Sequence, residues 1–122
     1  MEPEKENEWE AMPLPEQHES IVLNRTLSSE ETQYLLLGYR PISMDDKWFI
    51  YTKHEWIYFH RSWTGFCIFK IKLVLEAGKY ILTEALVNRN PNQFNSAGSE
   101  SDVELINRVI DIIVRVKQRD AR

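Results

Sequence analysis

The most chemically active side chains of this sequence lie in one short segment, residues 58–65, which reads YFHRSWTG. It contains an imidazole, a guanidinium, two hydroxyls and an indole, on His60, Arg61, Ser62, Trp63 and Thr64. A guanidinium forms paired, charge-assisted hydrogen bonds with a phosphate or carboxylate. Hydroxyls can donate to the same anion, and an indole offers a flat ring for stacking. This segment therefore predicts a binding site for a small anionic, nucleotide-like ligand.

A second cation, Arg89, ends a later β-strand pattern and lies in the polar stretch 88–93. Because that strand should pair antiparallel with the strand before it, Arg89 is expected close to Gly65 and Trp63. Arg61 and Arg89 would then share one rim and complete an anion site. In the alternative interpretation, both polar segments only stabilise turns, and Trp63 is a core residue beneath one of them.

No motif in the sequence predicts catalysis, a metal site or a cofactor. A general base needs a substrate proton within reach, and His60 beside Ser62 is not a catalytic signature. Neither the Walker nor the Rossmann glycine pattern, which bind phosphates, is present. One cysteine, Cys67, and three histidines give no zinc spacing, and Asp45 with Asp46 lacks the spacing of a calcium loop. We therefore predict a non-catalytic protein without a metal or cofactor.

Residues 46–73 and 84–94 resemble an uncharacterised family of short bacterial and phage proteins. The elements KWFIY, YFHRSWTG and NR-P recur in that family, and the likeness covers about residues 38 to 116. Its members sometimes accompany ADP-ribose-processing modules. The resemblance implies a nucleotide-linked setting, such as an ADP-ribose derivative or signalling nucleotide in bacterial or phage defence or counter-defence. It assigns no role to any residue.

Four runs rich in aromatic and β-branched residues predict strands at 48–52, 56–61, 66–75 and 80–89. In the third run, apolar side chains alternate with Lys70 and Lys72, which is typical of a sheet with one packed face and one wet face. The short polar connections can join only antiparallel neighbours. The sequence therefore predicts an antiparallel meander of about four strands.

Two helices are predicted beside this sheet. Ser28 and Glu31 have capping-box spacing, and Gly38 is placed to end the first, short helix. Ser101 and Glu104 predict a second capping box at the start of a C-terminal helix. Its apolar stripe is formed by Val103, Ile106, Ile110, Ile113 and Val114. The fold class is predicted as α+β, with this amphipathic helix covering the sheet.

Composition predicts an acidic disordered tail over residues 1–20 and a single domain over 21–122. The tail carries seven Glu and one Lys, and the remaining chain has twelve acidic and fourteen basic residues. That balance is too weak to predict nucleic-acid binding. The lack of a signal or membrane-spanning segment and the single cysteine predict a cytoplasmic protein.

The alternative function is protein–protein interaction, as an immunity or inhibitor domain. Its surface would be the aromatic sheet face that carries Trp48, Trp56 and Tyr58, because such rings are common at interfaces. A small sheet also leaves exposed edge strands, and we therefore predict that the chain can form a homodimer.

Overall fold

The computed structural model describes residues 11–43 and 45–121, and their architecture is α+β. The strands are β1 (His18–Leu27), β2 (Trp48–Lys53), β3 (Trp56–Arg61), β4 (Cys67–Glu76) and β5 (Lys79–Asn88). The helices are α1 (Ser29–Leu37) and α2 (Ser99–Asp120). The strands form one antiparallel sheet in the order β1-β5-β4-β3-β2. The predicted fold class and the meander from β2 to β5 are confirmed.

The sheet has five strands rather than the four predicted, because β1 adds to the far side of β5. Its pairing with β5 shifts register between Val22 and Arg25, where Asn24 has a φ of 51°. The inward positions of β1 still alternate, but one of them, between Leu23 and Leu27, is held by Arg25, so the apolar pattern that marks a strand is interrupted. β1 begins at His18, three residues before the predicted start of the domain. Half of the predicted tail, residues 1–10, lies outside the described residues.

Helix α1 begins as its sequence predicts. The Ser28 hydroxyl accepts a hydrogen bond from the Glu31 amide, and the Glu31 carboxylate accepts one from the Ser28 amide. This reciprocal pair satisfies two donors that a helix start otherwise leaves open. Gly38 ends the helix with a φ of 75°, a region that glycine enters without steric cost.

The N-cap of helix α2 lies three residues before Ser101, the predicted capping residue, so that prediction is wrong. Gly98 occupies the N-cap position, and no side chain caps the helix. Asp102 is instead drawn beneath the first turn, where Ser96 donates a hydrogen bond of 2.8 Å to its Oδ1 atom. The predicted apolar stripe is confirmed: four of its five residues are buried, and Val103 packs against the core.

The helices cover one face of the sheet, which we call the inner face, and the core lies between them. The largest fully buried side chains of the core include Phe59, Phe69, Ile50, Ile57, Ile71, Leu82, Ile106 and Ile110. The opposite, outer face carries the residues that alternate with these along each strand. Trp56 and Tyr58 lie there beside Lys70, whereas Trp48 packs against Phe59 and Phe69 on the inner face, so the prediction that Trp48, Trp56 and Tyr58 share one face is wrong.

The segment that leads into β2 is tied to the sheet by Tyr39. Its backbone pairs with Ile50, and its hydroxyl donates a hydrogen bond of 2.8 Å to Asp46 Oδ1. Asp46 Oδ2 accepts a second bond from the Ile42 amide. Burial, helped by the Asp46 carboxylate, raises the pKa of Tyr39 to about 12.

This shift predicts a loss of stability in alkaline solution. An unfolded chain releases the phenolic proton near the ordinary pKa of about 10, before the folded chain does. The free energy of unfolding should therefore fall as the pH rises from about 10 towards 12. Denaturation midpoints across this range, compared with those of Tyr39→Phe, measure the effect. An equally steep decline in the variant would assign the loss to other groups.

Candidate ligand-binding site

One register row of the outer face crosses all five strands. In cross-strand order, its residues are Tyr51, Tyr58, Lys70, Leu86 and Ser20. Directly opposed residues of antiparallel strands have Cβ atoms about 4.5–5.5 Å apart, so neighbours in the row can interact. The sheet therefore places two phenol rings and one ammonium group side by side.

The rings of this row stack with the imidazole of His60. The centroids of Tyr51 and Tyr58 are 4.9 Å apart with planes 10° from parallel, and those of Tyr51 and His60 are 5.4 Å apart at 17°. Lys70 Nζ lies 5.4 Å from the Tyr58 ring centroid and 4.8 Å from that of Trp56. The ammonium therefore contacts the faces of two rings, as in cation–π pairs.

His60 forms the buried end of this arrangement and is only 1% exposed. Its Nδ1 atom lies 2.9 Å from the Gly65 carbonyl oxygen, which can only accept, so Nδ1 carries the proton. In the neutral ring, Nε2 is then an acceptor for the Tyr51 hydroxyl at 3.3 Å. The imidazole is thereby held in one tautomer.

A cavity of about 530 Å³ lies over this part of the outer face. Residues 11–14 form one wall, and the remaining lining residues are His18, Tyr51, Tyr58, His60, Lys70 and Leu86. This volume is within the range of small-molecule sites, about 300–1,000 Å³. Aromatic rings with one cation can take up a planar, negatively charged molecule.

Arg61 and Ser62, which the sequence assigns to a ligand site, point elsewhere. The Arg61 guanidinium lies 4.3 Å from the ring centroid of Trp48, and burial lowers the pKa of Arg61. The Ser62 hydroxyl donates a hydrogen bond of 2.6 Å to the Asp46 carbonyl oxygen. The Ser62 amide donates to the Lys47 carbonyl oxygen. Both side chains thus contact residues at or just before the start of β2.

Trp63 and Thr64 lie in the loop between β3 and β4. Trp63 is 70% exposed, so the alternative interpretation of this indole as a core residue is wrong. The Thr64 hydroxyl accepts a bond of 3.3 Å from the Phe66 amide. Gly65 turns the loop with a φ of 79°. This part of the segment is a structural turn that carries one exposed ring.

Arg89 is engaged by carboxylates on two other elements. Its Nη1 atom lies 2.8 Å from Asp102 Oδ2, and its Nη2 atom lies 3.0 Å from Glu19 Oε1. Arg89 and the buried Asp102 thus form an ion pair. Burial opposes the charge of Arg89, but the two carboxylates outweigh it and raise its pKa. Glu19 also accepts a bond from Ser99, and these contacts lower its pKa.

The backbone of Arg89 lies where the sequence predicts, but its side chain does not. Asn88, its neighbour, donates a hydrogen bond of 2.8 Å to the Cys67 carbonyl oxygen, so the end of β5 adjoins the start of β4. The guanidinium turns away to β1 and α2. Of the six predicted site residues, only His60 lines the cavity on the outer face.

Tyr51 and Lys70 were not predicted as site residues. Alternation groups Tyr58 with His60 on one face of β3 and Lys70 with Lys72 on one face of β4, but only the register between these strands shows that the two faces coincide. In the described residues, no group of three or more potential ligands is arranged to hold a metal. Burial raises the pKa of the Cys67 thiol to about 12, so it is not a reactive thiolate at neutral pH.

No protein-family model, curated protein or solved structure matches this chain in the three comparisons made. Within residues 11–43 and 45–121, neither helix combines the length and apolar character needed to cross a bilayer. A feature of the fold that could accept a ligand is the outer-face cavity with its stacked rings.

Proposed function

We propose that the protein is a non-catalytic, cytoplasmic module that binds a small anionic, nucleotide-like ligand in the outer-face cavity. The observation that carries this proposal is the row of Tyr51, Tyr58 and Lys70 along one wall of a ligand-sized space. The resemblance to proteins that accompany ADP-ribose-processing modules supports the same ligand class, and with it a setting in bacterial or phage defence or counter-defence.

The wall offers two complementary contacts to such a ligand. Tyr58 is half-buried and lines the cavity, so a planar base can contact the part of its ring that Tyr51 and Lys70 leave uncovered. Lys70 takes part in no ion pair among residues 11–43 and 45–121, and its contacts there are with rings. A phosphate beside this ammonium would gain a charge-assisted hydrogen bond without displacing a carboxylate.

The proposal is tested by thermal shift with three probes that separate the contacts: ADP-ribose, adenosine and ribose 5-phosphate. Only ADP-ribose combines a base with a diphosphate, and it should raise the melting temperature most. A ligand at 100 times its dissociation constant adds about 2.7 kcal/mol to the free energy of unfolding. Lys70→Gln should weaken ADP-ribose binding about 10- to 100-fold, the value of one hydrogen bond to a charged group.

The matched control is Lys79→Gln, which removes an exposed lysine at the start of β5. It should bind ADP-ribose like the parent protein. If ADP-ribose binding survives Lys70→Gln but is lost in Arg61→Gln, the ligand binds beside the β3–β4 loop, as the sequence predicts, and not in the outer-face cavity. No shift with any of the three probes would reject a nucleotide of this class.

A second candidate function, protein–protein interaction, is favoured by one observation. Ile42 and Trp63 are 90% and 70% exposed, and hydrogen bonds from Ser62 to Asp46 and Lys47 join their loops. Exposed aromatic and aliphatic residues on neighbouring loops are typical of interface anchors. Loss of partner or self-association in Trp63→Ala, together with a flat ligand screen, would favour this function.

A further inference from the structure

Residues 11–17, which we call the strap, run beside the outer face before β1 begins. The strap is held at two points. The Met12 amide donates a hydrogen bond of 2.8 Å to the Gly65 carbonyl oxygen, and the Gln17 carbonyl oxygen accepts one of 2.7 Å from the Arg89 amide. It therefore connects the start of β1 to the loop between β3 and β4, and its first four residues line the cavity.

Between these two points, the strap has no hydrogen bond to the sheet among residues 11–43 and 45–121. Pro13 and Pro15 have no amide hydrogen to donate. Among residues 11–43 and 45–121, the Pro15 and Glu16 carbonyl oxygens accept bonds only from His18, at 2.7 and 2.9 Å. The turn at His18 is thus locally stabilised, whereas the far end of the described strap is joined to the β3–β4 loop by the Met12 hydrogen bond.

The carbonyl oxygen that accepts the Met12 hydrogen bond also binds His60, which lines the cavity. The Gly65 carbonyl oxygen accepts from the Met12 amide at 2.8 Å and from His60 Nδ1 at 2.9 Å. His60 in turn stacks on Tyr51. One oxygen therefore joins the wall formed by the strap to the rings beneath it.

We propose that the strap is a lid on the outer-face cavity, which opens when Met12 leaves Gly65 and the chain pivots at the turn before His18. This inference rests on the proposed function, because it names the path by which the ligand enters that site. Among residues 11–43 and 45–121, opening breaks one backbone hydrogen bond, and the loss of that bond should shift the closed–open equilibrium about two- to tenfold.

The test uses Met12→Pro in the full chain, because proline removes the amide hydrogen that forms the latch. Met12→Ala is the matched control, since it shortens the side chain but keeps the amide. Met12 is 44% exposed, so neither variant removes core packing. Acetylation of Lys70 by an amine-reactive ester, followed by mass spectrometry, reports opening without a ligand, and Lys79 serves as the internal reference.

Lys70 should be acetylated about two- to tenfold faster in Met12→Pro than in Met12→Ala, with Lys79 unchanged in both. Equal rates of Lys70 acetylation in the two variants would contradict the proposal that the strap is a lid. Because this measurement needs no ligand, its failure is separate from failure of the proposed function.

A second measurement applies once ADP-ribose binding has been established. Its association rate constant should rise about two- to tenfold in Met12→Pro relative to Met12→Ala. Unchanged association in a protein that still requires Lys70 for binding would leave the binding site in place and overturn the lid.

Discussion

Arg89→Met should lower the free energy of unfolding by about 3–5 kcal/mol, the usual cost of removing one partner from a buried ion pair. Asp102 is 1% exposed, and Arg89 is its cationic partner at 2.8 Å. Without the guanidinium, a carboxylate remains in the protein interior, and the Ser96 hydroxyl is the one side chain that donates a hydrogen bond to it among residues 11–43 and 45–121. Urea denaturation followed by circular dichroism measures the change.

Two further variants isolate the cause. Arg89→Met combined with Asp102→Leu should recover most of the lost stability, because neither charge is then left unpaired. Arg25→Met, which loses contacts with Glu31 and with the 55%-exposed Asp111, should cost only about 1 kcal/mol. Destabilisation that persists in full in the double variant would contradict the buried-charge explanation.

The same variant separates structural and binding roles of Arg89. Under conditions in which Arg89→Met is still folded, it should bind ADP-ribose as the parent protein does, because its side chain faces β1 and α2. A near-neutral effect on stability with loss of ligand binding would instead restore Arg89 to the ligand site that the sequence predicts.

Phe69→Ala should lower the free energy of unfolding by about 3–5 kcal/mol, which is typical for loss of a buried phenylalanine ring. Phe69 is fully buried on the inner face at the centre of the sheet. Its ring stacks on Trp48 at 5.9 Å and meets Phe59 and Phe94 edge-on at 6.1 and 5.7 Å. Chemical denaturation gives the difference in unfolding free energy directly.

Trp63→Ala is the control for this prediction, because it deletes a larger ring from a site that is 70% exposed. Its effect should stay within about 0.5 kcal/mol, as for most surface substitutions. A cost for Trp63→Ala comparable with that for Phe69→Ala would mean that the indole is packed in solution. The alternative interpretation of Trp63 as a core residue would then be correct.

The strands of the meander were predictable because their signals are local. The predicted strands from Trp48 to Thr52 and from Trp56 to Arg61 agree with β2 and β3 to within one residue, and the turns between them are short. Helix α1 was equally predictable, since a capping box and a terminal glycine act within one or two turns. β1 was missed because Arg25 takes an inward position between Leu23 and Leu27 and breaks the apolar alternation that marks a strand.

The direction of each side chain depended on contacts that are distant in sequence. Arg89 reaches Glu19, 70 positions away, and it also pairs with Asp102 in the first turn of α2. No local pattern indicates which carboxylate will be buried beside which cation. The predicted rim of two arginines failed to form for this reason.

The sequence by itself determined the α+β class, the order of the meander and the amphipathic helix, because alternation, turns and caps are properties of neighbouring residues. Only the tertiary structure decided which side chains meet. Strand register aligns Tyr51, Tyr58 and Lys70 in one row, and the added strand β1 brings residues 11–14 beside it. A site of this kind is set by pairing between strands, which is long-range information that residue spacing does not contain.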